Sequence, residues 1–179
     1  ALALIVLPLS RLSGKDASKS VPRAGAPAVL TYFGAIGLGF MFLEMVWIQR
    51  FTLFWGQPLY SAAGVLTALL CGMGAGSALS AGVSCGPRAI RSALAWALAL
   101  IGVLSAGLPH LMAAGLGWPE PLKWAAGLGV LSASAVVFGL PFPLALRAVG
   151  ASRPELVPWA WGVNGCLSVL AAPLAVLTA

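Results

Sequence analysis

The sequence predicts an all-α integral membrane protein, with about five transmembrane helices and the end of a further helix at its N-terminus. Hydrophobic residues make up 60% of the 179 residues and charged residues only 8%, whereas a soluble domain carries about 25% charged residues. The apolar residues also fall in runs of about 20 or more, the length that crosses a bilayer as a helix. Lipid is therefore the expected solvent, and the bilayer the first expected partner.

The N-terminal region divides into two parts before the main apolar region begins. Residues 1–9 are apolar but too short to span a bilayer, and no basic segment precedes them as in a signal peptide. We expect them to be the end of a truncated transmembrane helix. Residues 10–26 hold four Lys or Arg residues among Ser, Gly and Pro, which is typical of a basic, water-exposed linker. Residues 27–179 then form the five-helix transmembrane module.

The five spans are separated by connections rich in Gly, Pro or charged residues. Gly56 and Pro58 disfavour helix, so residues 49–58 are expected to connect the first two spans. Pro109 is expected to interrupt the third span, and Pro141 and Pro143 to end or kink the fourth, either as a simple stop or by shaping a cavity. The expected spans are about 28–48, 59–83, 89–114, 121–146 and 158–179.

The basic residues indicate an orientation for these spans. The connections 10–26, 84–91 and 147–155 hold eight Lys or Arg residues, and the alternate connections 49–58 and 115–123 hold two. The positive-inside rule then places linker 10–26 in the cytoplasm and the C-terminus in the periplasm of a bacterial inner membrane. Because this clustering fits membrane topology better than nucleic-acid binding, no nucleic-acid partner is expected although the net charge is +6.

Glu44 is the one charged residue in the first span, and a carboxylate at the bilayer centre costs about 2.5–3.5 kcal/mol, less near the surface. Two interpretations remain open. Glu44 forms an ion pair with Arg50 at the outer surface, or it faces a polar cleft and binds a cation, a proton or a partner group. Gln49 and Asn164 complete the set of possible functional polar residues, although for Asn164 a hydrogen bond between helices is favoured over a ligand.

The glycines of the second span resemble a nucleotide-binding loop, because Gly72, Gly74 and Gly76 precede Ser77. Such a loop needs a strand before it and exposure to water. The glycines here lie within a long apolar run. Four small residues share one helix face at a spacing of four, which favours close packing against another helix. These residues are Ala68, Gly72, Gly76 and Ser80.

No catalytic constellation is found in the sequence. The four acidic residues are far apart, and the single histidine, His110, lies on the opposite predicted side of the membrane from Asp16. The spacing of the three cysteines matches no metal site. We therefore predict no catalytic residue, no metal and no cofactor within this chain, and the sequence leaves open whether it belongs to an enzyme.

Five segments resemble the C-terminal membrane region of bacterial integral-membrane proteins related to spermidine synthase. They are 32–44 (YFGAIGLGFMFLE), 48–51 (IQRF), 56–58 (GQP), 141–147 (PFPLALR) and 157–165 (VPWAWGVNG). In such proteins a soluble domain of methyltransferase fold, which would bind an S-adenosylmethionine-type cofactor, is commonly fused to membrane helices. The resemblance implies a membrane module that anchors or serves such a domain. Any aminopropyltransferase or methyltransferase activity would lie in that domain, which is absent from this chain.

Two other functions stay open. The chain could be a structural or accessory subunit of a larger membrane complex, for instance a bioenergetic one. It could also be part of a transporter, since transporters use broken helices around a polar site. In each case neighbouring transmembrane helices or protein subunits are the expected partners.

Overall fold

The fold is that of a computed structural model, which describes residues 25–178. The predicted helix end at 1–9, and the predicted linker up to residue 24, lie outside the described residues. Within the described range the structure contains helices and no strand. The helices are α1 (Ala26–Trp55), α2 (Pro58–Ser80), α3 (Pro87–Ala114), α4 (Glu120–Phe138), α5 (Pro141–Ser152) and α6 (Val157–Thr178).

The predicted fold class is confirmed. Five helical stretches of the described chain are long and apolar enough to cross a membrane, with α4 and α5 counted as one stretch. Short 3-10 turns, Gly115–Gly117 and Pro154–Leu156, precede α4 and α6. The chain is accordingly a multi-pass, all-helical membrane protein.

The first connection is shorter than predicted, because α1 continues through residues 49–55. The aromatic side chains of Phe51, Phe54 and Trp55 are buried, so the buried face of α1 extends beyond the charged Arg50. The helix ends where Gly56 takes a φ of 74°, a left-handed conformation that favours glycine. Pro58 then occupies the first turn of α2, where its missing N–H costs nothing.

The expected interruption at Pro109 is wrong, whereas a break does occur near Pro141. Helix α3 runs unbroken across Pro109, since an unpaired backbone is costly in lipid and favours the helical path. Between α4 and α5 the helix breaks at Gly139 and Leu140, and Pro141 begins the new helix. Gly139 lies against the main chain of Met73 so closely that a Cβ there would collide with it.

The described chain forms two compact units, which are considered separately. One unit combines α1 up to Phe42 with the chain from Val149 onward, and the other is Leu43–Ala148. In the Leu43–Ala148 unit, the small-residue stripe of α2 is buried, and its glycines face α4. A Cβ on Gly72 would lie 2.5 Å from the carbonyl oxygen of Ser132, and one on Gly76 would collide with that of Val136. The backbones of α2 and α4 therefore approach closely, as small-residue faces allow.

Aromatic side chains fill the other end of the α2–α4 contact. The rings of Trp55 and Trp124 stack with centroids 4.0 Å apart, and the indole N–H of Trp55 donates to the carbonyl of Lys123 at 3.1 Å. Gly127 makes room for this cluster, because a Cβ there would lie 2.5 Å from the Trp55 ring and 2.7 Å from that of Phe51. The end of α1 is thus held against the start of α4.

Candidate functional site: polar groups buried among the helices

Glu44 is a buried carboxylate in the second half of α1. Its side chain is only 8% exposed, and it shares the buried face of the helix with Trp47 and Phe51, three and seven residues further on. Among the described residues, neither an ion pair nor a hydrogen bond to its carboxylate is present. A buried carboxyl group of this kind can take up a proton, or bind a cation or a donor group supplied from elsewhere.

The expected ion pair between Glu44 and Arg50 is not formed. The one ion pair among the described residues joins Nε of Arg153 to Oε1 of Glu155, 3.5 Å apart. Six residues correspond to about 600° of rotation on an α-helix, so Arg50 points about 120° away from Glu44. Since α1 neither frays nor turns between them, the two side chains cannot meet. Arg50 is half-buried and the neighbouring Gln49 is exposed.

Asn164 links α1 and α6 in the unit that combines α1 up to Phe42 with the chain from Val149 onward. Its side-chain amide donates to the main-chain carbonyl of Phe33 in α1, with 3.0 Å between nitrogen and oxygen. Gly37, one turn further along α1, lets α6 approach, because a Cβ there would lie 2.5 Å from the Asn164 carbonyl oxygen. That carbonyl also accepts a hydrogen bond from the hydroxyl of Ser168 at 2.8 Å. The Asn164 side chain therefore joins α6 to α1. Its amide already has a hydrogen-bond acceptor within the protein.

Arg147 makes a cluster of polar contacts that the sequence analysis did not predict. Its Nη2 donates to the carbonyl oxygens of Ser80 (2.6 Å) and Val83 (2.8 Å), and its Nη1 donates to that of Ala81 (3.2 Å). These carbonyls lie at and just beyond the end of α2, where helical partners are lacking. Nε of Arg147 is buried without a hydrogen-bond partner among the described residues.

A signal for Arg147 is present in the sequence, although its partners are not. Arg147 is the single charged residue between Lys123 and Arg153, so it is as isolated in its apolar surroundings as Glu44. Its partner carbonyls are 64 to 67 residues earlier in the chain, and main-chain carbonyls carry no sequence signature. Buried Ser61, whose hydroxyl donates to the Phe51 carbonyl at 3.2 Å, was missed for the same reason.

In the described part of the chain, no group of three or more His, Cys, Asp or Glu side chains could hold a metal ion. Pro141 is buried, and Pro143 is half-buried one turn before Arg147. Arg147 contacts the end of α2, Asn164 contacts α1, and Ser61 of α2 contacts Phe51 of α1. All three contacts join helices.

Comparison with known proteins found no matching family model, no matching curated protein and no matching solved structure.

Proposed function

We propose that this chain is the membrane module of a spermidine synthase-like protein, and that it anchors or serves a soluble domain on one side of a bacterial inner membrane. The cytoplasmic side is proposed for that domain, because the connections richest in Lys and Arg alternate with the others along the chain.

One observation supports this proposal most strongly. Glu44, Arg147 and Asn164 all lie in segments that resemble the family. Asn164, in segment 157–165, donates to the carbonyl of Phe33 in segment 32–44. Arg147 ends segment 141–147 and binds the end of α2, and Glu44 ends segment 32–44 as a buried carboxylate. Polar residues of this kind are costly in lipid, so their presence supports a defined arrangement of helices.

Isolation of the native particle tests the proposal. The protein would be tagged at its chromosomal locus, extracted in a mild detergent, and examined by intact mass spectrometry and S-adenosylmethionine binding. A methyltransferase-fold domain, either in the same polypeptide or bound in stoichiometric amount, is the expected result. Stoichiometric redox or pigment subunits would instead identify an accessory subunit of a bioenergetic complex. A particle that contains this chain alone would also contradict the proposal.

Glu44 favours a second candidate, part of a transporter. A buried carboxylate without a partner among the described residues is a typical ion or proton site in transport proteins. The test is substrate flux in proteoliposomes with Glu44→Gln, compared with Glu120→Gln as a matched control at an exposed position. Flux that is lost in Glu44→Gln and kept in the control would support transport, and equal flux would exclude a role for Glu44 in it.

A further inference from the structure

An open apolar groove of about 360 Å³ lies in the Leu43–Ala148 unit, between α3 and the junction of α4 with α5. One wall is the face of α3 that carries Ala89, Ala93, Trp96 and Leu100, and the other wall includes Leu140 and Leu144. The hydroxyl of Ser92 also reaches the groove, but it is bonded to the Ala89 carbonyl of its own helix. The groove therefore offers an occupant almost only hydrocarbon contacts.

The length of the groove corresponds to one leaflet of a bilayer. Its α3 wall extends from Ala89, in the first turn of the helix, to Leu100. Eleven residues of α-helix rise about 16 Å, and half of a hydrocarbon core of about 30 Å is about 15 Å. With the start of α3 placed at the membrane surface, the groove would reach to about the middle of the bilayer.

Positive charge is concentrated at the surface end of this groove. Arg88 lies in the first turn of α3, one turn before the groove residue Ser92, and is exposed, whereas Arg91 lies on the opposite side of the helix from Leu100. The Arg147 guanidinium lies 2.8 Å from the carbonyl oxygen of Val83, a residue that itself lines the groove. The buried Nε of Arg147 has no hydrogen-bond partner among the described residues. Among the described residues, neither Arg88 nor Arg147 forms an ion pair with an Asp or Glu side chain.

We propose that the groove holds one acyl chain of an anionic phospholipid, whose phosphate group binds at the arginines. The apolar lining fits the chain, and the positive charges of Arg88 and Arg147 attract the phosphate, in the way that basic pockets between transmembrane helices bind acidic lipid head groups.

Lipid competition tests the proposal. The purified protein would be incubated with equal amounts of phosphatidylglycerol and phosphatidylcholine of identical acyl chains, and the retained lipid measured by native mass spectrometry. Phosphatidylglycerol is expected to be retained preferentially. Because an arginine near the head group contributes about fivefold, Arg88→Gln should lower this preference about fivefold. Lys123→Gln, which changes a cation outside the groove, is the matched control.

A second variant tests the acyl-chain part. Ser92→Phe puts a ring into the groove from an exposed position, and should lower the retention of both lipids at least severalfold. Ala95→Phe, on an exposed part of α3 that does not line the groove, should change nothing. Circular dichroism checks that each variant is folded. If Ser92→Phe does not fold, the arginine variant at the surface still tests whether an anionic lipid binds. Equal retention of the two lipids, or equal effects of variants and controls, would overturn the proposal.

Discussion

The substitution Gly76→Ala tests whether α2 and α4 approach each other closely. The new Cβ would collide with the carbonyl oxygen of Val136 and would lie 3.2 Å from Cα of Gly139. These are backbone atoms, which cannot rotate away as the end of a side chain can. Overpacking of this kind costs about 1–3 kcal/mol. Because the clash is with main-chain atoms, we expect a cost near the upper end of this range. Alanine recovers about 0.8–1.0 kcal/mol of helix propensity, so we expect a net loss of about 2 kcal/mol.

Gly74 provides a matched control within the same helix. It lies two residues away, and nothing lies within 4 Å of the position that a Cβ would take. Gly74→Ala should therefore keep the gain in helix propensity without a clash, and be about 0.5–1 kcal/mol more stable than the parent. The two variants carry the same chemical change, so their difference of about 3 kcal/mol isolates the cost of pressing α2 against α4.

The assay is reversible unfolding in mixed micelles with increasing sodium dodecyl sulfate, followed by tryptophan fluorescence. Trp55 and Trp124 stack within the same unit and should report its separation. Gly76→Ala should unfold at a lower detergent fraction than the parent, and Gly74→Ala at the same or a higher one. Equal midpoints for the two variants would show that α2 and α4 do not approach as described, and would refute the packing argument.

Three further predictions concern a helix end and the two polar contacts. Gly56→Ala should lower the free energy of unfolding by about 1–2 kcal/mol because of its left-handed φ, whereas Gly129→Ala, in open surroundings, should not; equal stability of the two would contradict this. Asn164→Leu should cost about 0.6–1.7 kcal/mol by removing the bond to Phe33, and an unchanged unfolding midpoint would speak against that bond. Arg147→Lys should destabilise the end of α2, seen as faster backbone hydrogen exchange at residues 80–83, because lysine cannot span three carbonyls; unchanged exchange would count against the contact.

Composition and hydrophobic run length were sufficient to predict the fold class and the approximate positions of the spans. The solvent determines both, since only a helix of about 20 apolar residues satisfies its own backbone in lipid. The ends of helices were predicted less well. Arg50 and Gln49 suggested a connection, yet α1 continues to Trp55 because aromatic residues extend its buried face. Pro109 is held within α3 by the same lipid environment that defines the spans.

Polar contacts between distant segments were the least predictable part. The isolated charge of Glu44 marked the residue, but the sequence could not show that Arg50 points to another side of an unbroken helix. The partners of Arg147 and Asn164 are main-chain carbonyls, which every residue possesses. Identifying such a contact requires the packing of the helices, and that depends on glycines such as Gly37 whose neighbours lie far away in the sequence.

The central claim is that these helices cross a bilayer in alternating directions, and cysteine labelling tests it most directly. Cys85 lies exposed in the connection between α2 and α3 and serves as a natural probe once the other two cysteines are replaced by alanine. Gln57→Cys and Gly117→Cys supply probes in the connections before α2 and after α3. In right-side-out and inverted vesicles, an impermeant maleimide should label Cys85 from one side and both new cysteines from the other. Labelling of all three from the same side would contradict the account.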